Sequence, residues 1–378
     1  MKLVADENIL GLDAIEGAGV EIVRRAGREI TSKDLLDADA LWVRSVTQVE
    51  AELVRGSNLR FVGTATAGIE HIDVEALEEQ GIVFASAPGA NANAVVEYVL
   101  AAMLELESPW QSLDAGGTLG IVGYGHVGQR LAAVADSLGW KTRVSDPHIG
   151  SNADRPLHDL NEILSCEVIS LHCSLTRGTN HDSYHLFGRA ELAALRGEQT
   201  LINASRGAVI NNAALAERLA AADAPDVVLD VWEGEPQFDQ SLLQFPSLRV
   251  ATSHIAGYTI DAKLNATRML WNSTQSVISG LTKVDFESAG AGRSSELSNI
   301  ASAKDLMNAV YPILRDDRAL RQLQSEDAEK LGDLFDALRR DYPPRREIAA
   351  LTDAQIAELG EGAQRLARAL RVQLSRFR

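Results

Sequence analysis

Three residues in this chain have types that could together accept a hydroxyl proton and hold a carboxylate, as hydride removal from a secondary alcohol would need. Arg206 lies in INASRGAVI, Glu235 in DVWEGEP and His254 in ATSHIAGY. Each follows an apolar run of strand character, and open α/β sheets gather their ligands at strand ends. A neutral imidazole suits the task of accepting a hydroxyl proton near pH 7. A carboxylate hydrogen-bonded to its far ring nitrogen fixes the tautomer and favours the imidazolium that forms. A guanidinium grips a substrate carboxylate in two parallel bonds and aims the alcohol carbon. Each residue also has a plainer role open to it. His254 could be a satisfied structural group, Arg206 a surface ion pair, and Glu235 turn chemistry before Pro236. The other seven histidines read as structural or surface groups, with His126 set apart by the motif it belongs to.

That motif is Gly123-x-Gly125-x-x-Gly128, with His126 and Val127 filling the gap. Such glycine spacing is weak evidence alone. Here it follows the strand-like TLGIVG, opens a helical pattern of Val127, Leu131, Val134 and Leu138, and is trailed by Asp146 after KTRVSD, the context of a dinucleotide site. Gly123 permits the turn, Gly125 lets backbone approach a pyrophosphate, and Gly128 lets helix and strand pack closely. Helix-start amides then face the phosphate charge. Asp146 would accept from ribose hydroxyls and repel a 2′-phosphate, which favours NAD over NADP. The plainer alternative is a set of turn glycines and a capping aspartate.

The elements that must position these groups are legible as alternation. LVAD, EIVR, ALWVRS, RFVGTATAG and IVFASA in the first ninety residues are short extended runs, as are EVISLH, TLINAS, DVVLDVW and LRVATSH later. Short apolar runs separated by helix-compatible stretches predict parallel sheets with crossover helices. A long apolar helix is expected after Asn93, and Gly139 stands where a left-handed helix cap belongs. Residues 287–299, ESAGAGRSSELSN, have linker composition. Beyond them the glycine-strand rhythm stops. Thr352 and Gln355 make a capping box that should open one helix running through Ile356, Leu359, Ala363, Leu366 and Leu370.

The 378 residues carry 36 Lys and Arg against 53 Asp and Glu, a formal net charge of −17. Wholesale binding to nucleic-acid phosphates would start from repulsion. No stretch of ~18 apolar residues offers a membrane span, and the start, MKLVADENIL, is too polar for a signal peptide. Two cysteines make neither a disulfide framework nor a metal knuckle, so no metal is expected.

Together TLGIVGYGHVG, SLHCSLT, INASRGAVI, DVWEGEP and SHIAGYT resemble the D-isomer-specific 2-hydroxyacid dehydrogenases. The opening DEN, WVRSVTQV, FVGTATAGIEHID, APGANANAVVEYV and VYPILRDDRALR are similar to one branch of that family, and the likeness covers nearly the whole chain. The resemblance implies an α/β protein. A Rossmann-type NAD-binding domain would span residues 93–256, and a flavodoxin-like discontinuous substrate (lid) domain residues 1–92 and 257–285. A C-terminal α/β dimerisation domain would span residues 286–378. It implies NAD-linked oxidation at C2 of a phosphorylated four-carbon hydroxy acid by a homodimer, and the composition above adds a cytoplasmic location with no nucleic-acid or membrane partner.

Carried over residue by residue, the resemblance makes Arg206, Glu235 and His254 catalytic, with His254 the proton acceptor. It puts Ser45, Thr66 and Tyr258 on substrate. Asp146, Cys173, Ala204, Ser205, Arg206, Asp230 and Gly257 join the glycine turn on the cofactor. One departure is Ser174, where the family usually has proline; it should loosen the loop beside the nicotinamide ribose and weaken the case for Cys173. Arg44, next to Ser45, is the leading candidate for the substrate phosphate, with Arg345 and Arg346 behind it; the plainer reading of those two is a solvated basic turn offsetting Asp341 and Glu347. The alternatives are another D-2-hydroxyacid dehydrogenase, such as one for 3-phosphoglycerate, and an NAD-sensing interaction protein of the same fold.

Overall fold

All the runs expected to be extended are strands in the computed structural model, which describes residues 1–150, 153–284, 286, 297, 300–324 and 326–372. β1 (Lys2–Asp6), β2 (Glu21–Arg25), β3 (Ala40–Val43), β4 (Phe61–Thr64) and β5 (Val83–Ala85) form a parallel sheet in the order β2-β1-β3-β4-β5. That is the flavodoxin-like order, whose direction reverses between β1 and β3. β3 and β4 are buried along their whole length, as a parallel sheet covered on both faces requires. Alternation divides them: Trp42 and Phe61 join Leu270 and Trp271 of the helix Ile260–Val277 on one face, while Leu41, Val43 and Val62 meet Leu35 and Leu77 on the other. The Trp42 indole packs edge-on against Trp271 and donates to Thr274 Oγ1 at 3.1 Å. The crossovers are shorter than the helical stretches expected. Between β2 and β3 they shrink to the 3-10 turns Gly27–Glu29 and Ser32–Leu35, the second closed by a Thr31–Asp34 capping box.

The second sheet is also parallel. β6 (Thr118–Val122), β7 (Lys141–Ser145), β8 (Val168–Leu171), β9 (Thr200–Asn203), β10 (Asp226–Leu229) and β11 (Leu248–Ala251) run in the order β11-β10-β9-β8-β6-β7, reversing between β6 and β8. The expected apolar helix is Ala92–Leu106, buried over most of its length. Gly139 does end the helix His126–Leu138, at φ 77°.

Two compact units result: Met1–Asn91 with Tyr258–Ser294, and Ala92–Gly257 with Ser295–Arg378. The expected linker, residues 287–299, lies outside the described residues except for Leu297. After residue 300 the regular elements of the described chain are all helices: Ala303–Val310, Ile313–Arg321, Ala328–Arg340, Asp353–Ala357 and Glu361–Ala369, with the 3-10 turn Ile348–Ala350. Residues 287–299 apart from Leu297, and 373–378, lie outside the described residues, among which the C-terminal segment has no strand. Its apolar residues recur at helical intervals, with none of the period-2 alternation of strands. Their apolar faces are used within the chain: Leu320, Leu323, Leu331 and Phe335 share one core with Val227, Leu229 and Trp232. The Thr352–Gln355 capping box is present, but the single helix expected after it is two. The break is at Gly360, whose amide donates to Ile300 O at 2.8 Å and where a Cβ would stand 2.8 Å from Ala301 Cα. Among the described residues, no helix is long and apolar enough to cross a membrane.

Candidate active site

The cofactor turn sits where the second sheet reverses direction, with Gly123 after β6 and Cys173 after β8. Gly123 has φ 91°, and a Cβ on it would lie 2.5 Å from Cys173 N. At Gly128 a Cβ would be 2.0 Å from Gly123 O. Gly125 differs: nothing lies within 4 Å of its would-be Cβ, so open space flanks this backbone where a pyrophosphate would lie. Gly125 is the N-cap of the thirteen-residue helix beginning His126-Val127 and supplies no side-chain cap, which leaves the helix start to a phosphate. Burial pushes the His126 pKa down. Asp146 orders the same turn, accepting from Tyr124 N at 2.7 Å and His148 N at 3.0 Å. These residues fit a dinucleotide.

Ala204, Ser205 and Arg206 follow β9 in a turn closed by Asn203, which accepts from the Ser205 amide and hydroxyl and donates to Arg206 O. Cys173 is close to this turn, and burial pushes its thiol up to about 11, so it is a packing group rather than a thiolate. In the loop after it, which carries Ser174, Ser183 Oγ donates to Ser174 O at 2.6 Å and accepts from Thr176 N at 2.8 Å.

Glu235 and His254 meet. Glu235 Oε1 is hydrogen-bonded to His254 Nδ1, and Trp232 N donates to Oε2 at 3.1 Å. Burial pushes the Glu235 pKa up, but the His254 charge and hydrogen bond and the Trp232 amide outweigh it, and the net shift is downward. With Nδ1 engaged, Nε2 is the ring nitrogen left to serve as the base. His254 has φ 57°, rare for a non-glycine residue. It is held there by Asp230, whose carbonyl accepts from His254 N at 2.6 Å. The Asp230 carboxylate accepts from the amides of Ile255 and Ala256 and from Thr252 Oγ1. Asp230, expected on the cofactor, is thus 1% exposed and already builds the loop that leads to Gly257. Sequence reasoning missed this clamp, because it joins backbone amides that carry no residue-type signal.

The other unit carries the groups assigned to substrate. Arg44 and Ser45 follow β3, and Thr66 follows β4. Arg44 Nε donates at 2.9 Å to Asp6, a fully buried carboxylate at the end of β1, so this cation stands at the sheet's reversal point. Gly27 makes the room, since a Cβ there would be 2.3 Å from Asp6 Oδ2. Thr66 Oγ1 donates to Gly68 O at 2.7 Å and is 2.8 Å from Thr64 Oγ1, which in turn bonds His71 Nε2. Tyr258 precedes the helix Ile260–Val277, and Lys263 Nζ lies 5.0 Å from its ring centroid. Burial and then the Arg44 charge push the Lys263 pKa down, so two cations share this region. Sequence reasoning missed Lys263, although its place early in the helix after Tyr258 was a signal. Arg345 is not the solvated turn residue the sequence suggested: it is 3% exposed. Among the described residues no His, Cys, Asp and Glu group is suited to a metal.

Parallel sheets, a glycine turn fitted to a dinucleotide and a half-buried Glu235–His254 pair in the unit that also carries the Arg206 turn define an NAD-dependent dehydrogenase of hydroxy acids. Residues 106–256 match the model of the D-isomer specific 2-hydroxyacid dehydrogenase NAD-binding domain, and residues 289–364 match a domain of unknown function. An NAD-bound 3-phosphoglycerate dehydrogenase from Entamoeba histolytica superposes with a TM-score of 0.59 at 25% identity, covering 75% of this chain and 98% of that one. Curated relatives extend further. The erythronate-4-phosphate dehydrogenase of Azotobacter vinelandii is 44% identical, covering 93% of this chain and 94% of its own. That of Teredinibacter turnerae is 40% identical, covering 94% and 96%. The chain belongs to the erythronate-4-phosphate dehydrogenase family, and NAD is its cofactor.

Proposed function

We propose that this protein oxidises 4-phospho-D-erythronate at C2 to (R)-3-hydroxy-2-oxo-4-phosphooxybutanoate, a step of pyridoxal 5′-phosphate biosynthesis, as a cytoplasmic homodimer. Bound NAD supplies the hydride acceptor. Arg206 holds the substrate carboxylate, and His254 takes the C2 hydroxyl proton on Nε2. Glu235 stays ionised opposite Nδ1 and stabilises the imidazolium. Ser45, Thr66 and Tyr258 orient the carbon chain.

The observation that carries the substrate assignment is the Arg44–Asp6 pair with Lys263 nearby. In a chain of net charge −17, cations gathered at a sheet's reversal point suit a dianionic phosphate. Asp6 offsets part of the Arg44 charge and fixes where the guanidinium stands. The extent of the likeness agrees: the 3-phosphoglycerate dehydrogenase covers 75% of this chain, the erythronate-4-phosphate dehydrogenases 93% or more.

The test compares NADH formation from 4-phosphoerythronate, unphosphorylated erythronate and 3-phosphoglycerate. The first should give the highest kcat/KM. A charge-assisted hydrogen bond contributes roughly 1.5–3 kcal/mol. Arg44→Ala should therefore lower kcat/KM for the phosphorylated substrate about ten- to a hundredfold and leave erythronate nearly unchanged. Equal loss on both would make Arg44 a structural residue, and preference for 3-phosphoglycerate would overturn the substrate. A monomeric mass by light scattering would overturn the dimer.

A further inference from the structure

The backbone of His254 lies in the left-handed region, at φ 57°, a conformation that persists in a non-glycine residue only where its surroundings impose it. On the amide side the restraint is Asp230, through the bonds to His254, Ile255 and Ala256 already described. On the carbonyl side it comes from nearly ninety residues further along the chain. Arg345 Nη2 donates to Ala256 O at 3.1 Å, two residues from the imidazole.

Arg345 is built into this place. It is 3% exposed, and its guanidinium carbon lies 3.8 Å from the centroid of the Tyr311 ring. Glu97 Oε2 is 3.9 Å from Arg345 Nη1, near enough for attraction but beyond hydrogen-bond reach. Glu97 itself is turned toward the following segment, accepting from Ile348 N at 2.6 Å and Ala349 N at 3.3 Å. Arg345 Nε and Nη1 and Glu97 Oε2 find no hydrogen-bond partner among the described protein groups. A buried guanidinium is costly when its donors go unused. A residue selected only to close an ion pair would contact Glu97 directly. Among the described residues, the directed bond of this guanidinium instead reaches the loop of the catalytic base.

The same segment backs the partner of that base. A Cβ on Gly332, in the helix Ala328–Arg340, would lie 2.2 Å from Gln237 Nε2 and 3.5 Å from Pro236 Cγ. Phe335 packs on Phe238 with ring centroids 5.6 Å apart. The C-terminal segment therefore touches the loops of both Glu235 and His254 within a single chain.

We infer that Arg345 is a positioning residue for the reaction, through which the C-terminal segment sets the orientation of the His254 loop. The inference rests on His254 as the base, so His254→Gln is the reference variant. With the full-length dimer or monomer as purified, Arg345→Met should lower kcat at least tenfold. Its KM and its NADH dissociation constant should stay within about twofold of wild type. Arg345→Lys should recover part of the loss, since an ammonium can still donate to Ala256 O without stacking on Tyr311. Glu97→Gln keeps the acceptor for Ile348 and leaves the Arg345 bond untouched, so its kcat should remain within twofold of wild type. Should Arg345→Met fail to fold, the contrast between Arg345→Lys, with kcat reduced at unchanged NADH affinity, and Glu97→Gln decides the matter. Wild-type kcat in the arginine variants would overturn the inference. So would parallel losses of kcat and NADH affinity in the Arg345 and Glu97 variants, which would mark a general packing role. If His254→Gln itself turned over normally, the fault would lie with the assignment of the base.

Discussion

His254 and Glu235, nineteen residues apart, meet through Nδ1 and Oε1, and the Trp232 amide takes the other Glu235 oxygen. The carboxylate is thus oriented from its own loop before it meets the ring. Glu235 has its pKa lowered overall, so it stays ionised opposite the ring through the working range.

Glu235 orients the ring and stabilises the imidazolium that forms in oxidation, so Glu235→Gln should lower kcat by about tenfold or more while NADH affinity stays unchanged. A kcat equal to that of wild type would remove Glu235 from the pairing.

Asp146 accepts from the Tyr124 amide of the cofactor turn and from the amide of His148 just after it, and at the end of the second strand of such a site a carboxylate repels a 2′-phosphate. Asp146→Ser should narrow the NAD/NADP preference, measured as the ratio of kcat/KM values. Arg143 is not poised to help, because its guanidinium is committed to Glu162 O and Ser165 Oγ. The gain should therefore come from lost NAD affinity and relieved repulsion, with no new phosphate contact.

Phe335 is fully buried in the core that holds Val227 and Trp232. Phe335→Ala should cost about 3–5 kcal/mol, read as a lower urea midpoint for the unit that carries the cofactor turn. A variant as stable as wild type would mean that the C-terminal helices are an independent module.

Burial, with Glu347 adding to it and Arg345 opposing, raises the Glu97 pKa to about 8. Between the ordinary glutamate value and about 8 the folded state holds a proton that the unfolded chain has released. Stability from this group therefore falls as pH rises through that window. Glu97→Gln should flatten the decline in thermal midpoint between pH 5 and pH 8, and an equally steep decline would assign it to other groups.

Local pattern sufficed for the strands and for the glycine turn. A four- to five-residue apolar run between glycines has one stable use in a parallel sheet, and Gly123 and Gly139 stand at positive φ where their placement implied. The types at positions 206, 235 and 254 likewise named a chemistry. What tertiary structure decided was pairing between distant segments. Gly360 splits a helix whose periodicity runs on, because Ala301 passes too close for a side chain. Arg345 reads as a solvated charge beside Arg346 and Glu347, yet it is buried against Tyr311. The left-handed backbone of His254 follows from amides gathered on Asp230 and a carbonyl held by Arg345. Sequence period reports which face of an element is apolar. Which partner covers that face, and which backbone group a distant cation reaches, is settled only when the packed chain satisfies its buried polar atoms.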